Sequence, residues 1–227
     1  MMNKNTVIYN NVKIGRKPII EDFVILGKPS QRIKIDQSEL VIGDFPVFRS
    51  GTIIYSGNII GDNFRSGDHT RIRENNRIGN DVSIGTCTIV ECECEIKDRA
   101  RIHSNCFIPE YTSISEDAWI GPGTTMTNVL HPPCPAFKKY APLKKEEKCC
   151  YGPIIKKRAV VGAGTVILPG IVIGEDALVG AGAVVTSDIP NGCVAIGNPA
   201  KVVKKIEDLN CPAGFYKTGE VYSWRKK

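Results

Sequence analysis

Three histidines, His69, His103 and His131, are the only imidazoles in the chain. An imidazole is the side chain best matched to taking a proton near neutral pH. Two identical tripeptides, Gly162-Ala163-Gly164 and Gly180-Ala181-Gly182, lie 18 residues apart. Side chains this small leave backbone amides and carbonyls open to a flat ligand. Near His69 stand Asp68, Arg71, Arg73 and Glu74. These charges are able to bind hydroxyls or phosphates, or to form a solvated ladder on an outer face. Cys134, Cys149 and Cys150 cluster in one stretch, but their spacing matches no standard zinc pattern, and no metal is expected.

The elements that position these groups follow from a period of six. From Ile42 to Met126 every sixth residue is apolar except Ser66. The same step runs from Ile8 to Leu26 and returns from Ile155 to Val185. Gly often follows this residue, as at Gly43, Gly61, Gly121, Gly162 and Gly180, where it would accept backbone angles that other residues resist. Four residues after it sits a small or β-branched side chain, among them Thr88, Cys94, Ala100, Thr165 and Ala183. This is neither hairpin alternation nor a helical period. Each hexad reads as one short strand and one turn, and three hexads make one triangular coil with the aliphatic residues stacked inside. Cys87, Cys94 and Cys106 fall within the repeat and are expected as small buried side chains.

Two interruptions break the register, at residues 27–41 and from Thr127 to Ile154. A long loop in a compact repeat is usually functional. The larger one carries His131, five residues after the inward Met126. After Val185 the period ends. A short helix from Val202 to Leu209 is expected to cap the open end. The expected units are therefore a β-helix over 1–201, with 127–154 protruding, and a capping helix and tail over 202–227.

On these hexads, from Ile8 to Ile206, the chain resembles the hexapeptide-repeat acyltransferases. The resemblance implies an all-β fold, a left-handed parallel β-helix, assembled as a homotrimer with active sites between subunits. The run from Ile120 to Met126, followed by His131-Pro132, looks like the galactoside and maltose acetyltransferases. That likeness makes His131 the general base. Thr127-Asn128 resembles the nucleotide-amino-sugar N-acetyltransferases, some of which have Tyr-Pro where this chain has His131-Pro132. His103, His69, Asn128, Arg73 and Glu74 are then candidates for binding the sugar. Ala163, Ala181 and Thr186 match positions lining the site for acetyl-CoA, and Gly164 and Gly182 belong to the small-residue corner on which its pantetheine arm would lie. Lys201 matches a basic residue near the nucleotide phosphates. Ser187 stands where the family often has Lys, and Lys204 and Lys205 are placed to compensate.

The implied reaction is direct acetyl transfer in a ternary complex. The base deprotonates an amino or hydroxyl group of a sugar, the acceptor being a nucleotide-linked amino sugar for surface polysaccharide. A backbone N–H near Ala163 stabilises the oxyanion, and CoA leaves as the thiol. The alternative acceptor is a free sugar or an antibiotic, acylated on oxygen. Two remoter readings are a γ-type carbonic anhydrase and a non-catalytic scaffold. The first needs two zinc histidines close in sequence, whereas these are separated by 34 and 28 residues. A net charge of +6 suits anionic small molecules and is too diffuse to require nucleic acid. No apolar run approaches the roughly 20 residues of a membrane helix, and the first residues lack the apolar core of a signal peptide. The expected location is the cytoplasm.

Overall fold

The computed structural model describes residues 5–30, 38–130, 150–211, 213–218 and 220. Its strands, mostly of two residues, stack into three flat faces that wrap one interior. Sheet I has nine strands, from Val7–Ile8 to Val184–Val185. Sheet II has eight, from Val12–Ile14 to Val172–Ile173. Sheet III has ten, from Ile19–Ile20 to Lys201–Lys205. The chain visits I, II and III in turn, so each strand up to Cys193–Ile196 pairs in parallel with the one a coil away. Arg71 pairs with Ile89 and Ile89 with Phe107 on sheet I, and Arg101 pairs with Trp119 on sheet III. This is the expected left-handed parallel β-helix.

The interior follows the hexads. Ile72, Ile84, Ile108, Ile120, Met126, Val161 and Val185 are each at most 1% exposed. Ser66, the polar exception, is also buried, and its hydroxyl shares a 2.8 Å hydrogen bond with Thr52 and accepts one from the Arg49 amide. The first interruption leaves a register shift between Leu26 and Lys28, where Ile25–Lys28 pairs with Ile53–Tyr55, and the second is absorbed without one. Across the second, Thr125 still pairs with Val166 and Met126 with Ile167.

Three expectations need correction. First, the glycine directly after the inward residue is not where the backbone turns left-handed. That conformation recurs two residues later and is mostly taken by other residues, such as Phe45, His69, Asn105 and Asp176, with φ near 60°. Gly162 is needed because a Cβ there would lie 2.4 Å from the Ala181 amide nitrogen in the next coil. Second, Cys94 and Cys106 are buried, but Cys87 occupies one of these left-handed corners and is exposed. Third, no α-helix forms at Val202–Leu209. Lys201–Lys205 is a strand running antiparallel to Cys193–Ile196, followed by one 3-10 turn at Ile206–Asp208. The β-branched pair Val202-Val203 favours an extended chain, and the strand supplies partners for backbone groups of Cys193–Ile196.

Candidate active site

The corner between sheets III and I holds most of the sequence candidates. One column of this corner runs through Gly85, His103, Gly121, Gly162 and Gly180, each following a sheet III strand. The residues two positions on include His69, Asn105, Gly123, Gly164 and Gly182, all with left-handed φ. Coils rise by about 4.8 Å each. His103 is two coils below Gly162, or ~10 Å. His69 is four coils below Gly164, or ~19 Å, too far to meet the same reacting carbonyl on one chain.

At the upper end of this corner the backbone is open. Ala163, Gly164, Ala181 and Gly182 are all exposed, and a Cβ built on Gly164 or Gly182 would meet nothing within 4 Å. The Gly164 and Gly182 amides donate to Pro122 and Ala163 carbonyls, both at 2.8 Å. The amides of Ala163 and Ala181 donate to no acceptor among the described residues.

The corner between sheets II and III shows why this differs. There five of the equivalent amides are capped by a side chain of the next coil, while those of Asp98, Glu116 and Lys157 have no such cap among the described residues. Arg16 N–H donates to Asp44, Asp44 to Asp62, Asp62 to Asn80, and Asn80 to Asp98, each bond 2.7–2.8 Å. Glu175 N–H likewise donates to Asn191 at 2.9 Å. A glycine leaves room for each cap, as Gly43 does beneath Asp62 and Gly61 beneath Asn80. Gly162 leaves the same room beneath residue 181. That residue is alanine, so the Ala163 N–H has no cap and faces outward.

His103 is exposed, with its ring centroid 4.6 Å from that of Trp119 in the coil above. Trp119 was not singled out from sequence. Its offset of 16 residues from His103 puts it one coil up on the adjoining strand, a signal visible once the 18-residue coil is known.

The corner between sheets I and II collects the remaining candidates. A depression of about 610 Å³ is lined by Phe107, Thr125, Thr127, Asn128, Leu168 and Thr186, among others. Asn128 and Thr186 therefore meet in one groove. The Asn128 carbonyl accepts from the Tyr151 amide at 2.8 Å, which closes the base of the long loop. Phe107 and Leu168 line this groove and were not picked out as site residues from sequence. His131, Cys134 and Cys149 lie outside the described residues.

Arg73 and Glu74 are three coils below Asn128 on this corner, and their bonds are made within the protein. Glu74 is 1% exposed and accepts from Ser30 Oγ at 2.8 Å and Arg73 Nε at 3.0 Å. Arg73 also reaches Glu91 and lies over the Tyr55 ring. Burial pushes the Glu74 carboxyl up, but the bonds from Arg73, its own backbone and Ser30 hold it below the ordinary carboxylate range. The pair thus ties the chain entering the first interruption to the coils above. Lys201 is exposed at the start of the last strand, beside Ile196. Burial pushes the Cys94 thiol up to about 12, so it stays neutral. Among the described residues no three of His, Cys, Asp and Glu are grouped to hold a metal ion, and no helix is long and apolar enough to cross a membrane.

Comparison with known proteins adds three findings. Residues 152–187 match the bacterial transferase hexapeptide model of six repeats. The galactoside O-acetyltransferase of Lactococcus lactis is 36% identical over 95 residues, covering 42% of this chain and 44% of that one. Nodulation protein L of Rhizobium meliloti is 36% identical over 124 residues, covering 55% and 60%. The chain thus spans roughly half the length of these curated relatives. A Bacillus cereus protein of solved structure, described as an acetyltransferase, superposes with TM-score 0.51 at 22% identity, over 82% of this chain and 91% of that one. This last likeness is one of fold.

Proposed function

We propose that this chain, a left-handed β-helix of the bacterial transferase hexapeptide type, transfers an acetyl group from acetyl-CoA to an amino or hydroxyl group of a sugar. The observation that carries the reading is the uncapped Ala163 amide on an exposed corner of small residues. A hydrogen-bond donor held rigidly by the sheet, with no protein acceptor, suits the oxyanion of a thioester under attack. The Gly-Ala-Gly corner takes the pantetheine arm, and the exposed Lys201, beside Ile196 at the near end of the last strand, serves the nucleotide phosphates, whereas Lys204 and Lys205 pair with Val194 and Cys193 at its far end.

Acyl transfer also needs a base. His131 is proposed for this role. It follows Leu130, which lines the groove holding Asn128 and Thr186. His103, packed on Trp119 along the donor corner, is proposed to contact the acceptor. The proposed acceptor is a nucleotide-linked amino sugar, and oxygen acylation of a free sugar is the alternative. A trimer in the cytoplasm is part of the same proposal, as is a β-helix unit over 1–201 with a separate tail.

The test is thiol release from acetyl-CoA against a panel of nucleotide-linked amino sugars and free sugars. Turnover with the first set and little with the second supports the reading. A companion measurement is the thermal shift with acetyl-CoA, which at a hundred times its Kd adds about 2.7 kcal/mol. No thermal shift and no turnover with any acceptor would leave the β-helix as a scaffold.

A further inference from the structure

Below Ala163 and Gly121 the corner between sheets III and I continues through Ser104, Thr86 and Asp68, and small residues give way to cations. Among the described residues, Arg16, Arg49, Arg73, Arg99 and Arg158 are each engaged by a carboxylate. Arg65, Arg71, Arg77 and Arg101 are exposed and make no ion pair among the described residues. All four take the outward position of a strand, one residue before the inward side chain. Arg77 has Glu95 as its strand partner in the next coil. The other three flank one corner. Arg65 and Arg101 stand on sheet III on either side of Ser83, and Arg71 stands on sheet I in the same coil as Arg65. Both described histidines, His69 and His103, are exposed on the corner between these two faces.

Acidic residues avoid this corner. From Arg65 to Ala183 it carries one carboxylate, Asp68. Over the same coils Glu91, Glu93 and Glu110 stand on the corner between sheets I and II, and Asp81, Asp98 and Asp117 on that between sheets II and III. The backbone adds donors. The amides of Thr86 and Ser104 have no acceptor among the described residues, like that of Ala163. Outward N–H groups beside guanidinium forks that no carboxylate occupies suit an anion with several oxygens, and phosphate matches the fork of arginine with two parallel hydrogen bonds.

Distance indicates which anion. Arg101 and His103 are two coils below Ala163, or ~10 Å, and Arg65 and Arg71 are four coils below, or ~19 Å. An amino sugar whose nitrogen attacks a carbonyl held at Ala163 spans the first two coils with its pyranose ring and the phosphate on its anomeric oxygen. A second phosphate and the nucleoside extend along the next two. The donor's own phosphates are assigned the other way, at Lys201 beyond Ala181. The corner thus offers small residues to a pantetheine arm above and arginines to a diphosphate below.

We propose that Arg101 and Arg65, with Arg71 from the adjoining face and the open amides of Thr86 and Ser104, bind the diphosphate of a nucleotide-linked acceptor. The inference rests on the acyl-transfer reading and adds to it where the acceptor lies and which way it runs. The test is titration calorimetry of the purified full chain with UDP, GDP and dTDP, with the matching nucleosides, and separately with acetyl-CoA. The proteins are wild type, Arg101→Gln, Arg65→Gln and Arg77→Gln. At least one diphosphate is expected to bind wild type, and its nucleoside to bind far more weakly. Arg101→Gln and Arg65→Gln are each expected to weaken that binding about tenfold or more while acetyl-CoA affinity holds. Arg77→Gln, on sheet II, is expected to leave both affinities unchanged. All three side chains are exposed, and unchanged melting confirms folding. No diphosphate binding by wild type at millimolar concentration overturns the proposal, as do variants at 65 and 101 that bind like wild type. Acetyl-CoA binding and turnover with a free sugar would in that case leave acyl transfer standing. An equal loss in Arg77→Gln would reveal diffuse charge in place of a site, and a loss confined to acetyl-CoA would assign the arginines to the donor's phosphates; either result overturns the proposal.

Discussion

Ala181→Asn tests the proposed oxyanion donor from the opposite direction to a deletion, by giving it a partner. On the neighbouring corner, Asn80 and Asn191 occupy the equivalent slot and take the amide of the coil below at 2.8 and 2.9 Å. Each sits over a glycine, Gly61 or Gly174. Residue 181 sits over Gly162 in the same way. The introduced amide side chain should therefore bond the Ala163 N–H with little distortion. One added hydrogen bond is worth about 0.5–1.5 kcal/mol, so the variant should melt higher than wild type. Withdrawing one oxyanion donor costs about 10²–10³ in kcat. The expected protein is thus more stable and at least a hundredfold slower, measured by thermal melting and by thiol release from acetyl-CoA. The reciprocal control is Asn191→Ala, which frees the Glu175 amide on a corner with no proposed chemistry. It should lose about 1 kcal/mol of stability and keep its turnover. A rise in KM for acetyl-CoA at constant kcat would mean that the Ala163 amide holds the pantetheine arm instead. Higher melting with kcat and KM both unchanged would show that the amide was capped without consequence, and the proposed oxyanion role would be wrong.

The other predictions address the base, the brace and the coil. His131→Ala should lower turnover at least a hundredfold while leaving CoA affinity nearly unchanged; near-normal turnover in the thiol-release assay would shift the base to His103. Glu74 is held below the ordinary carboxylate range, so its contribution is present at neutral pH and is lost as pH falls through that lowered value. Glu74→Gln should therefore melt lower than wild type at neutral pH, with the gap narrowing as melting is followed down to about pH 3; a gap constant with pH would contradict the ionised brace. Gly162→Ala would put a methyl group 2.4 Å from a backbone nitrogen. It should cost about 2 kcal/mol in chemical denaturation, whereas the same change at Gly182, where nothing lies within 4 Å but φ is +69°, should show only backbone strain.

The hexads made the coil legible because one stacking rule acts on every residue of the interior. An inward aliphatic side chain in each strand meets the same neighbour above and below, so the period survives even where Ser66 stands in for an isoleucine. The corners were harder to read. They obey a second, weaker rule that links residues 18 apart through a backbone amide and a side-chain oxygen. Asp44, Asp62, Asn80 and Asp98 carry that rule, but in the linear sequence they look like ordinary surface polar residues. Glycine before them was read as a conformational requirement, when it is room for the cap. Arg73 and Glu74 illustrate the limit for site residues. Their charge suggested a sugar site, and only the position of Ser30, 44 residues away from Glu74 along the chain, shows that the carboxylate is already engaged. The capping helix failed for a related reason. Lys201–Lys205 takes its form from an open sheet edge, and no local pattern reports such an edge.

The two charged corners explain how one regular solid can carry chemistry on a single edge. A parallel β-helix leaves one outward amide per corner in every coil, a liability repeated along the molecule. Between sheets II and III, Asp44, Asp62, Asn80, Asp98 and Asn191 remove it in five of the coils by side-chain caps. Between sheets III and I, Glu21 caps the Ser50 amide, Pro122 has no N–H to cap, and the amides of Asp68, Thr86, Ser104, Ala163 and Ala181 have no acceptor among the described residues. The open amide at Ala163 needs no special backbone, because Gly162 keeps the slot that an asparagine would fill. It needs only a residue at 181 whose side chain accepts no hydrogen bond. On this argument Ala181 is under a constraint that its size does not suggest: stability favours a polar residue there, and the proposed reaction excludes one.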